Sequence, residues 1–200
     1  MKILAASDIH KDISLAKRLA DRAVKEDVDA ILLAGDFSNH LGDMEGVLGA
    51  IAQSGKKVFL VPGNHDNPTE IDVLTEIYNM VNVHGYAVEH EHLGIFGHSA
   101  VNCGMFSMPE HEVLDVLRKS FKYVKHKEKK IMMTHIHPSG STIEKFSNFV
   151  VGSGAVRKAI EELQPDIAIC GHVHEAEGIE EKIGKTRVIN VCRRGKIIEI

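Results

Sequence analysis

The chain has 200 residues, 44% of them hydrophobic, with a formal net charge of −4 and an isoelectric point near 6.3. This length and apolar content suffice to bury one sizeable core, so we expect a single domain. The negative charge argues against a protein that holds nucleic acid by bulk positive charge. Three cysteines without a Cys-x-x-Cys motif, no signal-peptide core and no membrane-length apolar run together predict a cytoplasmic protein with no membrane partner.

The first half of the chain alternates short apolar runs with amphipathic segments. Helical spacing of apolar residues, such as Leu15, Leu19 and Val24, predicts helices, and the short continuous apolar runs predict strands. The predicted order is strand 3–6, helix 14–26, strand 30–34, helix 44–53, strand 58–61 and helix 69–80. Three consecutive strand-loop-helix units imply a parallel sheet with helices packed on it.

The second half has a less regular pattern. Segments 81–83, 87–92 and 94–99 are short and prone to β-structure, which favours a hairpin or meander. A helix at 109–126, a strand at 131–134, a helix at 153–163 and a strand at 167–170 follow. Segments 186–192 and 196–200 are predicted to form a closing hairpin. The stretch 138–152 lacks periodicity, and its serine, glycine and threonine content predicts a loop over a functional site.

Five motifs of metal-ligating residue types each follow one of the apolar runs. They are Asp8-x-His10, Gly35-Asp36, Gly63-Asn64-His65-Asp66, Thr134-His135 and Gly171-His172-x-His174. Each motif is weak evidence alone, since Gly-Asp, for example, is more often a turn. Their shared position beyond the carboxyl ends of predicted strands is more informative, because ligands bind at that edge in open α/β sheets. The five motifs therefore predict one composite site.

The composite site offers enough nitrogen and oxygen ligands for two metal ions. The predicted sets are Asp8, His10 and His174 for one ion, Asn64, His135 and His172 for the other, and Asp36 as a bridge. An anionic bridge is needed because two dications about 3.5–4 Å apart repel each other. Mixed imidazole and oxygen ligands suit Mn, Fe, Zn, Co or Ni rather than Ca. A bridging water, with its pKa lowered from about 15.7 toward about 7, would supply a hydroxide nucleophile.

His65 directly follows the predicted ligand Asn64 and is placed to give a proton to a leaving group. A general acid of this kind is worth about 10²- to 10⁴-fold in rate. Asp66 has two open interpretations, since it could support His65 or hold the turn. Two metal ions beside such an acid suit phosphoester hydrolysis, in which they stabilise the charge that builds during in-line displacement.

With these motifs in this order, the chain resembles the calcineurin-like metallophosphoesterases, in particular the small single-domain predicted phosphoesterases related to the bacterial cyclic-nucleotide phosphodiesterase. The resemblance runs from residue 3 to about residue 191. It implies one such domain over residues 1–200 and an α/β fold, a four-layer αββα sandwich of two mixed β-sheets flanked by helices. It also implies a dinuclear site at the loop edge, the ligand sets above, the Asp36 bridge and His65 as proton donor.

Two segments depart from the family pattern. Ile136-His137-Pro138 follows the lone histidine where small relatives often carry Pro-Pro, and Asn190-Val191-Cys192 stands where many relatives have Asn-Pro-Gly. Neither departure removes a metal ligand. Both could reshape the substrate rim, so the substrate of a relative does not transfer to this chain.

Three polar residues are candidates for that rim. Asn39 and His40 follow Asp36 by a few residues, and His137 lies two residues beyond His135. For each of them, an ordinary polar or buried role is the alternative to substrate binding.

The loop before the predicted helix at 153–163 leaves other questions open. Ser153 and Gly154 begin that helix with Arg157 in its first turn, which could form an anion site or an ordinary N-cap. Phe146 and Phe149 could line a pocket, cover the core or join two subunits. A homodimer is thus one possible assembly.

The main functional hypothesis is divalent-metal-dependent hydrolysis of a small phosphomonoester or phosphodiester, with Mn as the leading metal. A non-catalytic interaction scaffold is the rival, disfavoured because every motif residue is present. A nuclease is a second rival. It is disfavoured because 200 residues leave little length for an added nucleic-acid-binding domain, and a net charge of −4 does not attract a polynucleotide. The densest basic segment, 119–130, is typical of a solvated helix end. A structural zinc site fits poorly, because such sites favour cysteine and closed coordination.

Overall fold

The computed structural model describes residues 1–39, 44–101, 107–147 and 149–200. In chain order its elements are β1 (Lys2–Ala6), α1 (Ile13–Lys25), β2 (Ala30–Ala34), α2 (Glu45–Ala52), β3 (Lys57–Val61), α3 (Pro68–Ile77), β4 (Val81–Asn82), β5 (Ala87–His90), β6 (Leu93–His98), α4 (Glu110–Val124), β7 (Lys129–Thr134), α5 (Gly154–Leu163), β8 (Ile167–Cys170), β9 (Glu180–Ile183), β10 (Thr186–Asn190) and β11 (Lys196–Glu199). Short 3-10 helices lie at Ile143–Phe146 and His174–Ala176. None of the helices in these ranges is long and apolar enough to cross a membrane.

The strands form two mixed sheets. The first has the order β11-β1-β2-β3-β4, in which β1 to β4 run parallel and β11 pairs antiparallel with β1. The second has the order β5-β6-β7-β8-β10-β9, in which four parallel strands are flanked by antiparallel β5 and β9. The parallel sheet predicted from the first three strand-loop-helix units is confirmed.

Three apolar layers hold the two sheets and their helices together. Successive side chains of a strand point to opposite faces, so Ile31 and Leu33 of β2 pack against α1, α2 and α3. Leu32, between them, packs in the layer shared by the two sheets, together with Ile131 and Ile169 of the second sheet. A third layer lies between the second sheet and helices α4 and α5. The arrangement is the expected four-layer sandwich, and each fully buried aliphatic side chain stabilises it by roughly 1.5–3 kcal/mol.

The predicted hairpin at the end of the chain is wrong. β10 and β11 are consecutive in sequence but lie in different sheets, and the segment between them crosses from the second sheet to the first. β10 instead pairs antiparallel with β9, a charged strand that the hydrophobic pattern missed. The prediction of a hairpin or meander over residues 81–99 is partly correct. β5 and β6 form a hairpin, whereas β4 leaves them and joins β3 in the first sheet.

Candidate metal centre

Five of the predicted ligands follow five different strands, and the two sheets bring them to one edge. Asp8 follows β1, Asp36 follows β2, Asn64 follows β3, His135 follows β7 and His172 follows β8. The first three strands belong to the five-stranded sheet and the other two to the six-stranded sheet. The candidate site therefore lies where the carboxyl ends of both sheets meet.

One group of side chains, here called the outer cluster, consists of Asp8, His10 and His174. One potential ligand atom from each lies within 4.8 Å of the others. His174 Nε2 is 3.1 Å from Asp8 Oδ1 and 3.2 Å from His10 Nε2. The His10 and His174 side chains are 19% and 41% exposed. The outer cluster therefore has an open side that water and a substrate can reach.

A second group, here called the inner cluster, consists of Asp36, His135 and His172. Their potential ligand atoms also lie within 4.8 Å of one another. His135 Nε2 lies 3.4 Å from Asp36 Oδ2 and 2.9 Å from Asn64 Oδ1, which adds a neutral oxygen to the group. The side chains of His135 and Asp36 are 0% and 2% exposed. Two side chains of the inner cluster are therefore closed to solvent, while His172 is half-buried.

The Asp36 carboxylate connects the two clusters. Its Oδ2 atom is 3.7 Å from His10 Nε2 and 3.4 Å from His135 Nε2. Its Oδ1 atom accepts a hydrogen bond of 2.9 Å from the backbone N–H of His65. One carboxylate oxygen thus faces imidazoles of both clusters, a position that suits a shared ligand.

Two of the imidazoles have a fixed outward hydrogen bond. His10 Nδ1 contacts the Ser38 carbonyl oxygen at 3.1 Å, and His135 Nδ1 contacts the Ala34 carbonyl oxygen at 2.8 Å. Because a carbonyl can only accept, each Nδ1 carries the proton and Nε2 is left to face its cluster. Metal-bound histidines usually have this second contact to a carbonyl or carboxylate. The donor set therefore fits divalent ions with borderline preferences.

The buried carboxylates attract positive charge into the site. Burial alone would lower the pKa of His135, but the Asp36 carboxylate, aided by Asp8, raises it to about 10. Burial raises the pKa of Asp8, but the hydrogen bond from His174 and the charge of His135 hold it well below its usual value. The site thus favours a cation, either as a proton on His135 or as a metal that replaces that proton.

The backbone is strained where the ligands lie. Asp8, His10, Asp36 and His172 have φ values of 55°, 48°, 57° and 71°, in the left-handed region. For residues other than glycine this conformation costs about 1–3 kcal/mol each and is concentrated at functional sites. Four of the seven predicted ligands share it. Among the described residues, eleven other than glycine have such φ values, and these four ligands are among them.

Two motif glycines are required because a ligand lies against them. A side-chain carbon on Gly63 would overlap Asp36 Oδ1, and one on Gly171 would overlap Asp8 Oδ2 and Ser7 Oγ. The glycine before the ligand thus gives a carboxylate of another motif room to approach. This explains the first residue in two of the three motifs that begin with glycine.

His65 lies beside the outer cluster. Its ring meets the His10 ring edge-on, with 5.2 Å between centroids, and its Nε2 is 3.9 Å from Asp36 Oδ2. Its Nδ1 contacts the carbonyl oxygen of Asn39. The side chain is 33% exposed. The ring is therefore oriented by the backbone, with Nε2 near the mouth of the site.

Asp66 holds the ligand loops together. It is fully buried, and its carboxylate accepts four backbone hydrogen bonds of 2.7–3.0 Å, from Asp36, Phe37, Ser38 and Gly63. Burial and the neighbouring Asp36 carboxylate raise its pKa to about 6. These contacts favour the second of the two interpretations, in which Asp66 fixes the turn. Its effect on the reaction is then through the placement of Asp36.

The three rim candidates have different positions. Asn39 is exposed beside the site, where its carbonyl contacts His65. His40 lies outside the described residues. His137 is fully buried, its ring is 6.5 Å from the His172 ring, and neither ring nitrogen has a hydrogen-bond partner within the described residues. Burial lowers its pKa to about 4. His137 is thus a buried neighbour of His172 and not an exposed rim residue.

The beginning of α5 does not form an anion site. Ser153 accepts a hydrogen bond from Val156 N, as an N-cap does, and the Glu110 carboxylate accepts hydrogen bonds from Ser153 Oγ and Ala155 N. An acidic side chain therefore already occupies the helix end. Phe146 and Phe149 are 46% and 94% exposed, so they do not cover the core.

The sequence did not reveal the groups behind the outer cluster. Ser7 Oγ and Cys192 Sγ both contact Asp8 Oδ2, at 2.5 Å and 3.1 Å. No motif of the sequence contains Cys192 or Ser7. Only the crossing of the chain between the two sheets brings Cys192 to Asp8.

A family model of calcineurin-like phosphoesterases matches residues 1–176. The chain belongs to this family. It is therefore a metal-dependent hydrolase of phosphoric esters, and the outer and inner clusters provide two candidate sites for the family's pair of divalent ions. No curated protein matches the sequence at a significant level.

Solved structures share the fold across nearly the whole chain. A Thermus thermophilus protein has a TM-score of 0.78 at 18% identity, covering 96% of this chain and 89% of its own. A dimetal phosphatase from Danio rerio has a TM-score of 0.64 at 12% identity, covering 95% and 86%. An archaeal phosphodiesterase has a TM-score of 0.58 at 18% identity, covering 96% and 84%. At these identities the likeness concerns the fold alone.

Proposed function

We propose that this phosphoesterase cleaves a small phosphomonoester or phosphodiester at a dinuclear site formed by the outer and inner clusters. The observation that carries the proposal is the position of Asp36 Oδ2, which is 3.7 Å from His10 Nε2 and 3.4 Å from His135 Nε2. A single buried carboxylate between two imidazole groups suits a pair of ions that share one anionic ligand.

The proposed ligand sets are those of the sequence motifs. The outer ion would be held by Asp8, His10 and His174, the inner ion by Asn64, His135 and His172, and both by Asp36. When bound, two divalent ions lower the pKa of a water molecule and offset the negative charge of the phosphoryl group. Imidazole and oxygen donors suit manganese, and equally admit Fe, Ni, Zn or Co.

His65 is the proposed proton donor. With Nδ1 directed to the Asn39 carbonyl, the proton available for transfer is on Nε2, next to the outer cluster. An imidazolium there can give this proton to the leaving oxygen of the substrate as the ester bond breaks. A partly exposed position also lets water restore the proton after each turnover.

The remaining loop residues keep these groups in place. Asp66 ties the backbone of Asp36, Phe37 and Ser38 to Gly63. The loops after β1 and β2 are joined by hydrogen bonds, including His10 N to the Asp36 carbonyl at 3.0 Å. Such rigid support matters because displacement of a catalytic group by about 1 Å can cost about 10²-fold in rate.

The surface supports a small substrate better than a nucleic acid. Three lysines at the end of the basic segment are paired with acids, Lys127 with Glu89 at 3.4 Å, and Lys129 and Lys130 with Asp166 at 3.4 Å and 3.5 Å. Paired lysines add little positive potential for a polynucleotide backbone. The complete set of motif residues also disfavours the non-catalytic scaffold.

The test is a metal and substrate panel. Protein freed of metal by chelator would be assayed with Mn²⁺, Ni²⁺, Fe²⁺ and Zn²⁺ in turn on p-nitrophenyl phosphate, bis-p-nitrophenyl phosphate, cyclic nucleotides and single-stranded nucleic acid. Both ester types belong in the panel because a phosphatase and a phosphodiesterase share this fold. We expect activity on a small ester that disappears with chelator and returns with metal. Full metal loading without cleavage of any substrate would favour the scaffold instead.

A further inference from the structure

The oxygen of Asp8 that faces away from the outer cluster has three hydrogen-bond donors around it. Asp8 Oδ2 contacts Ser7 Oγ at 2.5 Å, the backbone N–H of His172 at 3.0 Å and the Cys192 thiol at 3.1 Å. The other oxygen, Oδ1, faces His174 Nε2 at 3.1 Å. The two oxygens therefore have separate environments, one filled by donors and one directed at the outer cluster.

The fold defines the position of the Cys192 thiol. Ser7 N donates to the Val191 carbonyl at 3.1 Å, and Arg193 N donates to the Ser7 carbonyl at 2.8 Å. These bonds form an isolated bridge between Ser7 and Cys192. The bridged segment carries the chain from β10 in the second sheet to β11 in the first. The crossing between the sheets thus places the thiol directly behind Asp8.

We propose that Cys192 is a positioning residue for the outer metal ion. Its thiol, together with Ser7 Oγ, holds Asp8 so that Oδ2 is turned away and Oδ1 alone is presented to the ion. This inference rests on the proposed dinuclear function. It assigns to Cys192 a role that neither the motifs nor the ligand sets contain.

The contact geometry shows that the thiol acts as a donor. Cys192 is 1% exposed, and its Sγ contacts the Asp8 carboxylate at 3.1 Å and the Val173 carbonyl at 3.5 Å. An ionised carboxylate has no proton to donate, so the thiol is the donor and Asp8 Oδ2 the acceptor. A charged acceptor also binds such a donor more strongly than the Val173 carbonyl does.

Loss of this donor should affect one ion more than the other. Groups that hydrogen-bond to a metal ligand usually contribute 10- to 100-fold, roughly, to metal affinity. Cys192 contacts Asp8 of the outer cluster, and among the described residues its thiol has no hydrogen bond to a side chain of the inner cluster. Removing the thiol should therefore weaken the outer ion selectively.

The test is a titration of metal-free protein with Mn²⁺. Binding is measured by calorimetry and by the electron paramagnetic resonance signal of Mn²⁺. The unaltered protein should bind two ions. Cys192→Ala should weaken one of the two binding steps by roughly 10- to 100-fold, while Cys192→Ser, which keeps a hydroxyl donor, should recover most of that loss. Cys170→Ala is the matched control, because the buried Cys170 thiol contacts the Ile189 carbonyl at 3.7 Å instead of a ligand. It should bind both ions as the unaltered protein does.

Ser7→Ala provides a second variant should Cys192→Ala fail to fold, and it should weaken the same step. Unchanged binding in the Cys192→Ala and Ser7→Ala proteins, beside normal two-ion binding by the unaltered protein, would overturn the role of Cys192 and leave the proposed function standing. Equal weakening of both steps in Cys192→Ala and Cys170→Ala would also overturn it, since that is a general packing effect. Absence of two-ion binding by the unaltered protein would instead overturn the proposed function.

Discussion

The outer and inner clusters use the same residue types but differ in their contact with water. His10 and His174 of the outer cluster are 19% and 41% exposed, whereas Asp36 and His135 of the inner cluster are 2% and 0% exposed. A charge pair interacts several times more strongly in a dry interior than in water. We therefore expect the inner ion to bind more tightly and to exchange more slowly, and the outer ion to meet the substrate.

The difference follows from where each histidine lies in the fold. His135 directly follows β7, a central strand of the second sheet, and its Nδ1 is bonded to Ala34 of the first sheet. His174 lies in a short 3-10 helix after β8, on the surface. Burial between two sheets thus fixes one imidazole, while the other keeps an open side.

Replacement of the proposed bridging residue Asp36 should have the largest effect, because it should weaken metal binding at both clusters. Asp36→Asn keeps the shape of the side chain but loses the charge that both ions share. We expect both binding steps to weaken and activity to fall by about 10⁴-fold or more, since each ion contributes several kcal/mol to the transition state. Calorimetry and an esterase assay would measure this.

Asp27→Asn is a suitable control for that variant. Asp27 is a surface carboxylate, 93% exposed, that pairs with Lys56 at 2.9 Å. It should leave metal binding and activity unchanged. Retention of one tight ion in Asp36→Asn would show that the clusters do not share this carboxylate.

Replacement of His65 should separate catalysis from metal binding. His65→Ala removes the proposed proton donor beside the outer cluster but none of the proposed ligands. We expect activity to fall by about 10²- to 10⁴-fold with both ions retained. His126→Ala, which removes an exposed histidine paired with Glu89 at 3.0 Å, is the control and should have no effect. Metal loss in His65→Ala as large as in Asp36→Asn would contradict the separate roles.

Replacement of a single histidine ligand should have the smallest effect on metal binding, but the effect should be confined to one cluster. His174 of the outer cluster and His135 of the inner cluster are the residues to compare. His174→Ala should weaken only the outer step, by at least about tenfold, and excess Mn²⁺ should restore part of the activity. His135→Ala should weaken the inner step and also lower the free energy of unfolding by about 1–3 kcal/mol, because buried polar groups lose their partner. Metal titration and urea unfolding would measure both. Equal effects of the two variants would mean that burial does not distinguish the clusters.

The sequence predicted the central strands best. Strands β2 and β8 were predicted with the bounds that the structure shows, 30–34 and 167–170. Strands buried on both faces consist of continuous apolar runs, which are readable locally. The charged edge strand β9 has no such run, and the partner of β11 is β1, nearly 200 residues away. Local patterns do not specify pairing between such distant segments.

The same limit applies to the candidate site. The motifs identified side chains that the structure brings together in two clusters. That these clusters bind metal ions is part of the proposed function. The supporting contacts could not be predicted, because Asp66 bonds backbone groups of another loop and Cys192 meets Asp8 only through the crossing between sheets. The burial of His137 could not be predicted either, because it depends on the pairing of its loop with Ser153, 16 residues further along the chain.

The most direct measurement is anomalous diffraction from crystals of the Mn²⁺-loaded protein. We predict two manganese peaks, one among Asp8, His10 and His174 and the other among Asn64, His135 and His172, with the Asp36 carboxylate between them. A single peak, no peak, or ions bound away from Asp36 would contradict the dinuclear site.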